Sequence, residues 1–281
     1  EVLHAGTIAK RVMGTPLIYD SHEDWPALIA ENSRIESLLA GIQERRLCWR
    51  VDHVVTVSEP IADKFRARGR PTTVLYSARP SAAVQIRDRR ASRLSFGYDA
   101  DDFVVGFAGA FGRGRGLDVL LAAMARLPTS VKGLLVGGPQ EEAEKLRARA
   151  TGLGLTDRVR VDGYRPFPEL SPYYAAMDLG VILLEPWPNH LRALPNKLFD
   201  YMAHGVAVIV PDYPAMAPIV RKGPCGWTVP EVRWQSVSSV IQEARGLAHP
   251  PVVALMTGFE EEVVAGVRLD SLGAALFLAS D

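Results

Sequence analysis

Short apolar runs alternate with helix-period segments along the whole of this chain, and no other feature constrains the fold as strongly. Strands buried on both faces read as near-continuous apolar runs, and a parallel neighbour is reached only through a crossover, usually a helix. The runs that read as strands are residues 2–4, 17–20, 53–57, 73–76, 103–108, 133–136, 159–161, 179–184 and 206–210. The helices between them have readable ends. Ser33 and Glu36 form a capping box ahead of Ile35, Leu38, Leu39 and Ile42, and Gly116 precedes Leu117, Leu120, Leu121 and Met124 on one face. Pro195 suits a first helical position and Gly205 a stop. The pattern predicts an α/β chain whose parallel sheets are covered on both sides.

Between residues 77 and 102 the periodicity lapses into a stretch rich in Ser, Ala and Arg, after which a fresh strand begins. A length of 281 residues suits two domains. The expected division is a first domain over 1–85, a linker over 86–101, a second domain over 102–231 and C-terminal helices over 232–281 that pack back toward the first. Glu1 falls inside what reads as a strand, so an N-terminal part of the first domain is expected to be missing. With 32 Lys+Arg against 32 Asp+Glu the chain is formally neutral, which excludes a generally basic nucleic-acid binder. The first 98 residues nonetheless hold 15 basic and 11 acidic side chains, and the remainder 17 and 21. Cys48 and Cys225 are too few for a disulfide framework or a zinc cluster and fit a reducing compartment, hence a cytoplasmic location. His, Cys and carboxylates nowhere converge at metal-ligand spacing, so no metal is expected. No apolar run approaches the ~20 residues of a membrane span.

The strand at 103–108 runs into Gly109-Ala-Phe-Gly112-Arg113-Gly114-Arg115-Gly116 and then a helix. Glycines admit backbone N–H groups to a phosphate, the helix start adds a favourable dipole, and two arginines bring charge and forked donors. An anion site is expected at Gly112, Arg113 and Arg115, against the plainer reading of a turn with solvated arginines. A dinucleotide-binding turn fits poorly, because Leu117 stands where the third glycine belongs and residues 133–136 run into Gly137-Gly138 instead of an acid. A second constellation spans residues 185–211: a polar loop, a helix start carrying Asn196 and Lys197, then a buried strand. Asp200, four residues past Asn196, shares its face and is suited to accept from sugar hydroxyls, or else is a surface acid on an amphipathic helix.

Taken in order, these residues resemble the retaining, nucleotide-sugar-dependent glycosyltransferases of family 4, also called group 1. The resemblance implies the GT-B fold, two Rossmann-like parallel-sheet domains facing across a cleft, with the first truncated here. It implies that Gly112, Arg113, Arg115, Asn196 and Lys197 bind the donor diphosphate, that Asp200 binds the ribose, and that Tyr164 and Arg165 in Val161-Asp-Gly-Tyr-Arg165 hold the nucleobase. Ala176-Met-Asp178 resembles the family's strand entry, and Leu194-Pro-Asn-Lys-Leu-Phe-Asp-Tyr-Met-Ala-His-Gly205 is the most specific match. His22, after the strand at 17–20, matches a histidine that faces the donor sugar and is the expected catalytic residue; its plainer reading is a turn or helix cap. His4 and His53 read as packing or turn residues. The nucleoside diphosphate-sugar is a substrate, so no cofactor is implied, and the acceptor is a glycan or lipid-linked molecule of cell-envelope polysaccharide synthesis.

Departures accompany the matches. Relatives carry an acid pair around this helix; the second acid falls on Asp200 and the first on Arg192, whose place in the chemistry Glu185 or the backbone of residues 193–196 must take. A nucleotide-sugar-binding module without turnover is therefore an alternative. So is an epimerase of the same fold, for which Glu23, Asp24 and Glu185 are the candidate acids and bases. Arg45, Arg46 and Arg50, interleaved with Leu47 and Trp49, suit peripheral contact with anionic lipid headgroups or, more simply, a solvated helix end.

Overall fold

In the computed structural model of the chain, which describes residues 2–78, 84–223 and 225–247, the apolar runs form two parallel sheets in two compact units. The first unit comprises Glu1–Ser77 and Pro186–Leu194; the second comprises Ala78–Glu185 and resumes at Pro195.

In the first unit α1 (Val2–Met13) precedes β1 (Ile18–Ser21), followed by α2 (Trp25–Ile29), α3 (Arg34–Cys48), β2 (His53–Thr56), α4 (Glu59–Arg66) and β3 (Thr72–Val74). The order is β1-β2-β3, and Ser21, Thr56 and Val74 are register partners, so the three parallel strands finish at one edge. Leu17, Cys48, Val51, Val54, Val57, Ile61 and Phe65 make the core.

One expectation fails here. Residues 2–4 open α1 and are not a strand, because Val-Leu-His is too short to discriminate the two periods. Lys10 fixes the helix through an ion pair to Asp52 (2.6 Å), whose carboxylate also accepts from the Leu17 N–H at 2.7 Å. His4 accordingly sits on a helix, its Nδ1 2.7 Å from the Gln43 amide. Helix α3 starts where the capping pair predicts, with Ser33 Oγ accepting from the Glu36 N–H at 3.3 Å, yet its apolar face is turned to solvent. Ile35, Leu38 and Leu39 are 74%, 65% and 60% exposed, while Ala40, Glu44, Leu47 and Cys48 are what the helix buries.

The second unit runs α5 (Arg89–Phe96), β4 (Phe103–Ala108), α6 (Leu117–Met124), β5 (Val131–Val136), α7 (Gln140–Gly152), β6 (Val159–Asp162), a short 3-10 turn, α8 (Ser171–Ala176), β7 (Leu179–Val181), α9 (Asn196–Ala203), β8 (Ala207–Pro211), α10 (Ala217–Lys222), β9 (Gly226–Val229) and α11 (Trp234–Gly246). The sheet order is β6-β5-β4-β7-β8-β9, all parallel. Counting from β4 this is the doubly wound order 3-2-1-4-5-6, in which the winding reverses between the first and fourth strands. Strand β9 is an addition to the expected set. The stretch 86–101, expected as a linker, contains α5. Its cap Asp88 accepts from the Ala91 N–H at 2.6 Å, and Arg89 and Arg93 both pair with Asp178, which also accepts from the Val104 N–H at 2.7 Å. One carboxylate thus ties α5 to the starts of β4 and β7. Cys48 and Cys225 are free and buried. Of the C-terminal helices expected over 232–281, α11 is present, and residues 248–281 lie outside the described residues.

Candidate functional site

Ligands of open α/β sheets bind outside the carboxyl ends of the strands, at the point where the winding reverses. In the second unit Ala108, Val136 and Asp162 are register partners across β4, β5 and β6, so the loops that follow leave the sheet side by side. The Gly109 N–H donates to Val136 O (2.9 Å) and the Gly137 N–H to Asp162 O (3.2 Å). Across the reversal, the Glu185 N–H donates to Gly114 O at 2.9 Å and clips the glycine loop to the chain leaving β7.

Two glycines in this loop are required by its geometry. Gly116 caps α6 at φ 69°, where a Cβ would collide with the Leu183 carbonyl. Gly109, at φ 138°, leaves room for Lys197, since a Cβ would lie 2.7 Å from its Nζ. Gly112 and Arg113 are exposed and Arg115 is half-buried; neither arginine makes a hydrogen bond or ion pair among the described residues.

Pro195 is the cap of α9, which puts exposed Asn196 and half-buried Lys197 in its first turn. Lys197 Nζ lies 3.7 Å from the centre of the Phe107 ring. Burial, reinforced by the Arg115 guanidinium and opposed by Asp200, pushes the ammonium down to about 7. A phosphate placed beside it would draw the proton back. Asp200, four residues past Asn196, is 6% exposed, so the surface-acid reading does not hold. Tyr201 is fully buried; its hydroxyl accepts from the Ala108 N–H at 2.9 Å and ties α9 to the end of β4. Neither Phe107 nor Tyr201 stands out in the sequence, because both lie in runs that read simply as apolar. The one clue is a tyrosine hydroxyl in such a run, which needs a partner when buried.

Tyr164, 70% exposed, and Arg165 lie in the loop after β6, where Arg165 Nη1 donates to Tyr164 O at 3.3 Å. Asp162 anchors the start of that loop by accepting from Tyr173 (2.6 Å) and Arg160 (2.9 Å). The glycine loop, Asn196, Lys197 and Asp200 are therefore brought together, with the Tyr164 loop on the same edge of the sheet.

His22 and Arg192 belong to the first unit. His22 follows β1, is exposed, and has Nε2 3.0 Å from Asp20 Oδ2; the cap position of α2 is Asp24. Arg192 pairs with Asp24, a buried carboxylate that also holds Lys64 at 2.8 Å. Burial alone would raise the Asp24 pKa, but Lys64 and then Arg192 outweigh it and hold the carboxyl below the usual range. Glu23 accepts from Asn189 at 2.9 Å. Asp24 is thus a poor proton donor, which counts against the epimerase reading. Among the described residues no group of His, Cys, Asp or Glu side chains is arranged to hold a metal ion, and no helix is long and apolar enough to cross a membrane.

Residues 102–245 match the family model described as Glycosyl transferases group 1, and residues 3–76 match that of the Glycosyl transferase 4-like domain. The D-inositol 3-phosphate glycosyltransferase of Mycobacteroides abscessus is 26% identical over 250 residues, covering 85% of this chain and 55% of that protein. D-inositol 3-phosphate glycosyltransferase 1 of Catenulispora acidiphila is 27% identical over 241 residues, covering 79% and 56%. The chain spans about half the length of these curated relatives. Anabaena HepE in complex with UDP and glucose superposes with a TM-score of 0.72 at 22% identity, covering 96% of this chain and 75% of that one. The sucrose-phosphate synthase of Thermosynechococcus elongatus gives 0.67 at 22%, covering 89% and 63%. At these identities the structural likeness establishes the fold.

Proposed function

Since the chain belongs to the group 1 glycosyl transferases, we propose that it acts in transferring a sugar from a nucleoside diphosphate-sugar to a glycan or lipid-linked acceptor, with retention at the anomeric carbon. The observation that carries this reading is the depressed ammonium of Lys197 beside a glycine loop with two arginines, at the reversal of the sheet. Negative charge grows on the diphosphate as the glycosidic bond breaks, and cations already in place stabilise it without reorganisation. Gly112, Arg113, Arg115, Asn196 and Lys197 take the diphosphate, Asp200 accepts from the ribose hydroxyls, and Tyr164 and Arg165 meet the base. His22 is the residue that acts on the donor sugar, since a neutral imidazole both donates and accepts.

UDP is the nucleotide to test first, because the Anabaena structure holds it. Saturable UDP binding in calorimetry, and transfer from a UDP-sugar with the anomeric configuration of the product read by NMR, support the reading. Failure to bind any nucleoside diphosphate overturns it. Binding without turnover, in a chain extended to the full length of its relatives and offered an acceptor mixture, would favour the binding-module alternative. The observation on the side of that alternative is that Arg192, which falls where the family resemblance implies an acid, is engaged by Asp24.

Peripheral contact with the anionic inner face of a membrane has its own support in the apolar face of α3. Ile35, Leu38 and Leu39 are exposed, with exposed Arg34, Arg45, Arg46 and Arg50 around them, which complements acidic headgroups. Leu38→Ser with Leu39→Ser should lower co-sedimentation with phosphatidylglycerol vesicles; unchanged sedimentation removes this contact.

A further inference from the structure

A second concentration of positive charge lies in the first unit, apart from the glycine loop. An open groove of about 770 Å³ runs between the last turn of α3 and α4, lined by Arg45, Trp49, Lys64, Arg68 and Arg192. Its one carboxylate is Asp63, 72% exposed and already paired with Arg66 at 3.2 Å. Asp24 and Glu44, both buried, hold Lys64 at 2.8 and 2.7 Å, and Glu44 also holds Arg68 at 3.3 Å. These carboxylates fix the cationic heads but do not exhaust them, because an ammonium carries three donors and a guanidinium five. Set against Arg45, Lys64, Arg68 and Arg192, the two buried acids leave a surplus of two positive charges. Arg45 makes no hydrogen bond or ion pair among the described residues.

We infer that this groove binds an organic phosphate, with the phosphate between Arg45, Lys64, Arg68 and Arg192 and the carbon part against Trp49. The surplus charge matches a phosphate monoester, which carries about −1.5 to −2 near neutral pH. Guanidinium forks fit phosphate oxygens in pairs. The volume is that of a small-molecule site, larger than inorganic phosphate needs. Trp49 is 63% exposed and already carries Arg70 at 5.1 Å from its ring centre, so it presents a large apolar surface at the rim. No residue of the glycine loop takes part, and the inference stands apart from the donor reading.

The test titrates the chain with two probes, phenyl phosphate and dihexanoyl phosphatidic acid kept below its micellar concentration, and then with UDP on the same samples. Arg45→Glu removes an unpaired, exposed cation, and Arg11→Glu, exposed on α1 and outside the groove, is the charge control. Arg45→Glu should weaken the probe about tenfold or more, the worth of a hydrogen bond to a charged group. Arg11→Glu should leave it within about twofold, as an uninvolved surface change does. Phenyl phosphate behaving this way identifies a soluble ligand; phosphatidic acid alone behaving this way identifies a lipid headgroup. Absence of binding by both probes, equal weakening in the two variants, or displacement by UDP overturns the inference, and the UDP titration reports on the donor site separately.

Discussion

Lys197 is the side chain whose titration reaches furthest. Its ammonium is held at about 7, so the free protein has shed that proton by about pH 8, while an anion bound beside it restores the proton. Binding above neutrality must then take up a proton, and UDP affinity should fall as pH rises from about 7 to about 9. Calorimetry in two buffers of different ionisation enthalpy measures the uptake directly. Lys197→Ala should abolish it and weaken UDP by about 1.5–3 kcal/mol; affinity independent of pH in the parent would remove Lys197 from the site. Asp200 opposes the depression of Lys197 from a buried position, so Asp200→Ala is expected to lose donor binding and Asp200→Glu to keep it. Equal affinity for all three proteins would leave Asp200 a packing residue. Asn196 and Lys197 stand out as candidates in the sequence because a helix start after a polar loop presents its first-turn positions wherever it occurs, and Asp200 because it lies four residues past Asn196. The burial that depresses Lys197 was not readable, since it comes from Phe107 and Gly109, which share no local pattern with it.

At the level of elements, Asp178 shows how much one buried acid organises. It receives Arg89, Arg93 and the Val104 N–H, and Arg93 is itself buried. Asp178→Ala leaves that guanidinium without its carboxylate, a change that costs about 3–5 kcal/mol when a buried pair is broken. Urea unfolding followed by circular dichroism should show the lower midpoint, and an unaltered midpoint would reduce Asp178 to a surface partner. Strands β4, β5, β7 and β8 were readable from their apolar runs because a strand covered on both faces has little polar side to confuse the period, whereas the edge strand β6 alternates as Val-Arg-Val-Asp. Strand β9 was not readable, since Gly226-Trp-Thr-Val229 is short and only its last residue is fully buried. The buried face of α3 was not legible either. Its strongest apolar spacing lies outside, and the buried side contains Glu44, a charge tolerated only because Lys64 and Arg68 come from another part of the chain.

On the scale of the whole molecule the two units differ in how much holds them. Among the described residues the first has three short parallel strands, an edge at β1 and apolar side chains of α3 in solvent; the second has six strands, of which β4, β7 and β8 are buried throughout. Amide exchange should be faster across residues 2–76 than across 103–229, because local opening follows the scarcity of buried contacts. The reverse order, measured by mass spectrometry, would contradict this. The doubly wound order of the second unit was implied by the family resemblance. The grouping of residues 186–194 with the first unit was not, because nothing local in that loop reveals which sheet its neighbours belong to.

That loop has a consequence for how such proteins exchange parts by recombination. Residues 186–194 are flanked on both sides by chain of the second unit, yet Asn189 donates to Glu23, the Arg192 carbonyl accepts from Ser58, and its guanidinium pairs with Asp24. A crossover near residue 78 that joined everything downstream to a foreign first half would import the loop without its three recipients. The orphaned Asp24 would keep Lys64 alone, and Arg192 would meet whatever the new host offered. Chimaeras in this lineage should therefore fold well only when 186–194 is exchanged back with the first half, which makes the heritable module a discontinuous one.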